Sequence, residues 1–465
     1  MRREYDVVVV GCGIAGVSAG LRAAELGAEV AILEKSPERH RGGQTRFSES
    51  FRVPSAVTDL SGHGYEFAIP DYTPDDFYDD VMSRTNGRAD PDLARAVVDR
   101  AGPTVEWLTD RGAEWEMEPL AVGYVAGRTW CDGGELVGTL LEAATAEGAA
   151  VHYEAAAREL VRDDDAHVAG LVADVGDERV RFDCDAVVLA SGGYESSSEK
   201  RARYYGPGYD DMKVRGSRYN SGGAIDMAID AGANPVGQWS GAHMAIIDAG
   251  SPDVEGGANR VDGYQFGVIL NRDGERFVDE GEDARAHTYA KFGREIFEQP
   301  GHVAYIVLDS RMNEHARATG PSEPTVADSP AALFDAVDVD AATAEETLAA
   351  YNAACDPGEF DPAVLDGNAT DAALDPPKSN WAVPLEEPPY YAYAVTGGIT
   401  FAFGGVEVTP SAEVVDDRGR VVPGFYAAGN CTGGLFYDNY PGGTGLTNAA
   451  VFGKTAAETA VERLE

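Results

Sequence analysis

Residues 5–16 read Tyr5-Asp6-Val7-Val8-Val9-Val10-Gly11-Cys12-Gly13-Ile14-Ala15-Gly16, and the fold follows from that stretch. Residues 5–10 are a near-continuous apolar, β-branched run, the kind buried on both faces of a parallel sheet. The glycines come at once after it, and VSAGLRAAELG then reads as a helix closed by Gly27. A second strand is expected over residues 29–33 and ends on Glu34. Each part has a physical task. Gly11 makes the tight turn, and Gly13 lets backbone N–H groups approach a pyrophosphate at the helix N-terminus. Gly16 lets the helix pack close to the strand, and Glu34 can accept hydrogen bonds from a ribose. A lone GxGxxG is only a turn signal; here strand, glycines, helix, strand and acid fall in order. The order predicts a dinucleotide site, and the carboxylate favours FAD or NAD over a 2′-phosphorylated ligand.

Outward from this unit, residues 36–60 are polar and carry RGGQTRFSES, which places 40–48 in a loop beside the nucleotide. Helical patterns follow over 74–86, 91–111 and 136–147, then short strands over 151–153, 158–162 and 169–173. Residues 183–189 read as another buried strand, ending in Ala190-Ser191-Gly192-Gly193, and 220–232 as a helix. From about residue 237 to 395 the composition turns to mixed strand, loop and helix. The last seventy or so residues return to β and Gly-rich character before a helix over 447–464. The economical reading is an α/β fold: a Rossmann-like nucleotide domain over 1–236 and 396–465, interrupted by an inserted α+β capping domain over 237–395.

The formal net charge is −42, from 79 acids against 37 basic residues, and the acids are spread along the whole chain. A dispersed excess reads as a surface adapted to high salt, and it argues against nucleic acid and anionic membrane as direct partners. The five cysteines (12, 131, 184, 355 and 431) form no CxxC and no disulfide framework, as suits a reduced cytoplasm. No apolar run reaches the roughly 18 residues of a membrane span, and Arg2-Arg3 leaves no room for a signal before the first strand. A soluble cytoplasmic protein is expected, with no metal site.

Five further stretches carry a family likeness: GGQTRFSES, DAVVLASGGYES, NSGGAIDMAIDAGA, VILNRDGERFVDEGEDA and the tail VVPGFYAAGNCTGGLFYDNYPGGTGLTNAAVFGKTAAETA. Spread over nearly the whole chain, they resemble the flavoprotein family of fumarate reductases, succinate dehydrogenase flavoprotein subunits and 3-ketosteroid dehydrogenases. RGSRYNSG, GAHMAIIDAGSP, RFVDEGEDARAHTYAKFGR and AAYNAACDPGEFD bring it nearest to FAD-dependent tricarballylate dehydrogenases. The resemblance implies one FAD under a capping domain, with the C-terminal segment returning to contact it. As cofactor-binding positions it implies Gly11, Gly13, Ile14, Ala15, Gly16, Glu34, Lys35, Gly42, Gly43, Gln44, Thr45, Ala156, Ala190, Ser191, Gly192, Gly429, Asn430, Thr444, Gly445 and Leu446. Noncovalent attachment is expected, because His40 lies only two residues before Gly42, out of place for the histidine that holds flavin in succinate dehydrogenases. No second nucleotide motif is found, so electrons are expected to pass to or from a separate protein.

Such a family dehydrogenates or reduces a carbon–carbon bond. A hydride and a proton leave neighbouring carbons while cations hold the substrate's carboxylates. Arginine suits that clamp because its planar fork meets a carboxylate bidentately. Arg128, Arg215, Arg218, Arg260 and Arg285 are the candidates, with Arg128, Arg218 and Arg260 assigned to the substrate; Arg276 reads as structural. His243 matches a substrate-binding histidine of soluble fumarate reductases. The sequence also departs from that pattern. Thr400 and Phe401 stand where fumarate reductases carry a second histidine, and Tyr440 stands where they carry an arginine. Their acid arginine aligns at Ala284, one residue before Arg285. Tyr440-Pro-Gly instead resembles 3-ketosteroid dehydrogenases, although their second tyrosine after RFVDE is missing. Arg285, His243 and Tyr440 are the expected catalytic residues and Thr400 a substrate contact. Guanidinium, with a pKa above about 12, is a poor base near neutrality, which makes Tyr440, His243 or Glu282 easier proton carriers. A small polycarboxylate is the expected substrate, a 3-ketosteroid the alternative. A binding protein without redox activity is the least favoured class, because the nucleotide glycines are all present.

Overall fold

A computed structural model describes residues 2–117, 127–164, 166–257 and 259–464. Val7–Val10 (β1) is buried on both faces, as its unbroken valines require. Gly11, at φ 108, turns the chain so sharply that an added Cβ would lie 2.3 Å from Ala190 O, and Ile14–Glu25 (α1) begins three residues later. Val30–Leu33 (β2) and Ala150–His152 (β3) extend the sheet on one side of β1, and Ala186–Leu189 (β4) on the other, all parallel. The expected strand over 183–189 is in fact divided. Asp183 ends Glu178–Asp183, part of a separate four-stranded sheet, and the N–H groups of Asp185 and Ala186 both reach Asp6 O at 3.1 Å, stepping the chain into the central sheet.

Beyond β4 come the helix Gly223–Asp230 (α2) and the long strand Pro235–Asp248 (β5). The helix expected over 220–232 starts at Gly223 because Gly222, at φ 75, is its N-cap. Arg285–Phe297 (α3) packs against β5 and against the seventeen-residue strand Tyr390–Val406 (β6), which runs antiparallel to β5. Val268–Asn271 and Ala304–Leu308 widen this second sheet. The chain then returns to the first sheet. Glu413–Val415 (β7) pairs with Val421–Ala427 (β8), which lies parallel to β4, and Thr444–Glu462 (α4) crosses α1. At the crossing a Cβ on Gly453 would stand 2.2 Å from Ala15 O, so only glycine permits the approach. The molecule is thus a mixed α/β fold whose first and last segments share one sheet. Among the described residues no helix is long and apolar enough to cross a membrane.

The β5–β6 ladder is irregular between Gln238 and Ala242 and again after His243. His243 faces Phe401, but Met244 faces Ile399, so Thr400 is an extra residue. This bulge breaks the strict alternation of side chains, and Thr400 and Phe401, though consecutive, both line the same cleft.

Candidate active site

One continuous cleft runs from the glycine turn after β1 to the wall formed by β5, β6 and α3. At its first end lie the N-termini of α1 and α2; that of α4 opens farther along the cleft, where Gly443 stands against Arg128 and Gly445 against Phe401 and Tyr440. Their N-caps are Gly13, Gly222 and Gly443, glycines with no side chain of their own to cap the first turn. The first-turn N–H groups at the positive ends of α1 and α2 make this end of the cleft a receptor for a phosphate-bearing ligand. Ile14 N–H donates to Thr45 Oγ1 at 2.9 Å, which ties the RGGQTRFSES loop to the start of α1. Glu34 closes β2. One of its carboxylate oxygens accepts from Cys12 N–H at 3.1 Å and the other from Ser36 N–H at 2.7 Å, while burial pushes its pKa up. The Ser191 hydroxyl is buried with no hydrogen-bond partner among the described residues. Such a cradle, with an acid beyond the second strand and an unengaged hydroxyl on its wall, fits a dinucleotide.

Of the expected cofactor positions, Gly11, Gly13, Ile14, Ala15, Glu34, Lys35, Gly43, Gln44, Thr45, Ala156, Ala190, Ser191, Gly192, Gly429, Asn430, Gly445 and Leu446 all line this cleft. Three do not. Gly16 lies under it, its would-be Cβ 2.0 Å from Gly11 O, so it is a packing residue. Gly42 faces Arg46 and Val137, and the fully buried Thr444 opens α4 behind the lining. His40 is also off the lining, its ring beside Tyr219 and 3.8 Å from Glu255.

At the other end Arg128, Arg215, Arg260 and Arg285 converge, with His243, Tyr289, Thr400, Phe401 and Tyr440. Arg285 is the first residue of α3 and sends Nε to Asp262 Oδ1 at 2.7 Å; its guanidinium sits 4.0 Å above the Tyr289 ring, one helical turn on. Burial would raise the Asp262 carboxyl, but Arg285 and then Arg260 outweigh it and hold Asp262 below the usual range. Arg260 pairs with Glu49. Arg128, 4.7 Å above the Trp130 ring, donates to Ser50 Oγ on the neighbouring strand Ser50–Arg52. Arg215 differs from the other three. Its backbone N–H reaches Ile399 O at 2.8 Å and its carbonyl accepts from Gln44 Nε2 at 2.8 Å, which fixes the side chain inward. Its Nε is buried with no partner among the described residues. Two carboxylates, Glu49 and Asp262, thus stand beside four guanidinium groups, and the excess positive charge faces a cleft.

His243 is buried among Tyr289, Phe401 and Tyr440, ring centroids 4.9, 5.4 and 5.0 Å away. Neither ring nitrogen has a partner among the described residues. Burial, then Arg215 and Arg285, drive its pKa well below the ordinary value, so the ring is neutral at neutral pH. The Tyr440 hydroxyl is 2.5 Å from that of Tyr289; burial, then Tyr289, raise its pKa far above the usual phenol value.

The expectation fails for Arg218. It is half-exposed on the far side of the loop, bound to Glu255 through Nε at 2.7 Å, and does not reach the cleft. Glu282 is likewise elsewhere, pairing with Lys291 on the outer face of α3. Sequence reasoning missed Tyr289, Glu49 and Asp262. For Tyr289 a signal existed, the i, i+4 spacing from Arg285 that puts both on one helix face.

Similarity to known proteins extends over nearly the whole chain. Residues 6–446 match the family described as FAD binding domain. A fumarate reductase (cytochrome) of Shewanella frigidimarina is 28% identical over 476 residues, covering 98% of this chain and 77% of that protein. A urocanate reductase of Eggerthella lenta is 28% identical over 486 residues, covering 98% and 74%. The open conformation of a flavocytochrome c3 fumarate reductase superposes with a TM-score of 0.76 at 26% identity, covering 99% of this chain and 78% of that one.

Proposed function

The chain belongs to the FAD binding domain family, and from that premise we propose that it is an FAD-dependent oxidoreductase acting on a carbon–carbon bond of a small, tricarballylate-like polycarboxylate. One observation carries the substrate class: Arg128, Arg215, Arg260 and Arg285 meet on the cleft that the glycine cradle opens into. Bound FAD supplies the hydride acceptor, or the donor in the reverse direction. The residues of the chain do the rest. Arg215 and Arg128 hold substrate carboxylates, and Arg260 and Arg285, braced by Glu49 and Asp262, fix the charged wall. Thr400, its hydroxyl unengaged among the described residues, adds a neutral donor. Phe401, Tyr289 and Tyr440 keep water from the reacting carbons. We assign the proton to His243, neutral and with both ring nitrogens open to a ligand; Arg285 stays charged against Asp262, and Tyr440 acts as a hydroxyl donor. Replacing His243 by Gln is expected to lower turnover about 10²- to 10⁴-fold, the usual worth of a positioned acid–base group.

We further take residues 1–236 and 396–465 as the FAD domain and 237–395 as its cap, with FAD held noncovalently since His40 is off the cleft lining. Acid precipitation should leave a colourless pellet and a yellow supernatant. The dispersed acids suit a salt-rich cytoplasm, with a separate protein exchanging electrons. A second reading, a 3-ketosteroid-like substrate, is favoured by the Tyr289–Tyr440 hydroxyl pair beside Phe401. The test is anaerobic flavin bleaching at high salt by tricarballylate, succinate and a 3-ketosteroid. Bleaching by the polycarboxylates supports the first reading, and bleaching by the steroid alone replaces it with the second.

A further inference from the structure

We propose that Glu195 is a positioning residue for the cofactor end of the cleft: it fixes the side-chain amide of Asn220 so that Asn220 Oδ1 faces a hydrogen-bond donor of the bound dinucleotide. Glu195 follows the Ala190-Ser191-Gly192-Gly193 turn that leaves β4, and its side chain is fully buried. Asn220 lies just ahead of α2 and lines the cleft. Asn220 Nδ2 donates to Glu195 Oε1 at 2.6 Å, while Glu195 Oε2 is buried with no hydrogen-bond partner among the described residues.

The nearby cations are engaged elsewhere. Lys35 Nζ donates to Ser221 Oγ at 2.9 Å. Arg201 spends Nε, Nη1 and Nη2 on the backbone carbonyls of Tyr209, Glu195 and Asp210. Burial, first of all, pushes the Glu195 pKa up to about 7. A carboxyl kept in such a place at a desolvation cost calls for a task. Holding the two segments together is not that task, because Ser196 N–H already joins Asn220 O at 2.9 Å through the backbone.

Orientation is what the side-chain bond adds. An amide presents a donor on one side and an acceptor on the other. With Nδ2 directed to Glu195, Oδ1 turns towards the lining at Gly43, whose would-be Cβ lies 3.8 Å from it. Gly192, at φ 71, leaves room for the amide: a Cβ there would stand 3.0 Å from Asn220 Oδ1, Nδ2 and Cγ alike. Glycine, acid and amide form one unit whose product is an acceptor directed into the cradle.

The inference rests on the FAD reading, and a wild-type protein that purifies without flavin and takes none up would overturn that reading by itself. Given a yellow wild type, the measurement is FAD release on dilution of the holoprotein, followed by the return of flavin fluorescence. Glu195→Met, which has no acceptor oxygen, and Asn220→Ala should each weaken FAD binding about tenfold, the loss expected for one good hydrogen bond. Glu195→Gln keeps an acceptor and should stay within about twofold. The double variant Glu195→Met/Asn220→Ala should lose no more than the worse single, since both act through one contact. A fourth arm covers the case in which Glu195→Met does not fold. Asn220→Asp sets two carboxyls side by side, which near neutrality can share a proton, so this arm is read at pH 9: there Asn220→Asp should release FAD readily, and adding Glu195→Gln, which can donate to that aspartate, should restore binding. Wild-type affinity in folded Glu195→Met, additive losses in the double variant, or no restoration in the Asn220→Asp/Glu195→Gln pair would each overturn the proposal.

Discussion

Arg215 and Arg218 stand three positions apart in one loop, and composition cannot separate them. The structure does, through partners distant in sequence: Ile399 and Gln44 pin the backbone of Arg215 inward, while Glu255 draws Arg218 outward. If Arg215 holds a buried carboxylate, Arg215→Ala should weaken polycarboxylate binding by about 2–4 kcal/mol, and Arg218→Ala should leave it unchanged. A flavin difference titration measures both. His243 yields a pH prediction whose sign follows from burial. Its folded pKa is depressed, so below the unfolded value of about 6.5 the unfolded chain binds a proton that the folded chain refuses. Stability is intact above that pH and falls as the pH drops, by up to about 1.4 kcal/mol per unit for this one group. Urea melts between pH 7 and 5 should show a shallower decline in His243→Gln than in the wild type. An equal slope would mean that the ring takes up its proton in the folded state.

At the scale of elements, what was legible was local. The strand, turn, helix, strand and acid at the start are encoded within about thirty consecutive residues, and they fold as read because each requirement is met by a neighbour in sequence. The C-terminal return to the sheet was legible too, from its Gly-rich β character. The bulge at Thr400 was not, since it exists only in the pairing of β6 with β5. The same holds for Asp262, brought to Arg285 across 23 positions. Gly453 is a further case, an ordinary glycine in a helical pattern until α4 is laid over α1. A methyl there would sit 2.2 Å from Ala15 O, directly behind the N-terminal turn of α1. Gly453→Ala is therefore expected to cost about 1–3 kcal/mol of stability as an overpacked contact and to loosen FAD with it. Thermal melts with and without added FAD separate the two effects: a lower melting point in which added FAD no longer gives the wild-type rise is the expected result.

For the whole molecule, the dominant quantity is the net charge of −42. A surface so rich in acids repels itself, and dissolved salt relieves the repulsion. The melting temperature should accordingly rise between 0.2 and about 3 M KCl, over the range in which the Debye length falls to a few Å, and a flat profile would rule out salt adaptation. The cluster of four arginines sits at the bottom of this acidic envelope, and the consequence is kinetic. A polycarboxylate approaching from bulk water meets repulsion first and attraction only inside the cleft. Ordinary electrostatic steering is slowed by salt; here the outer field is the obstacle and the inner one is sheltered from ions by burial. Encounter should quicken as ionic strength rises, so kcat/KM would climb with salt while KM for a neutral analogue stays level. The arginine cleft would then work as a trap that added salt makes easier to enter.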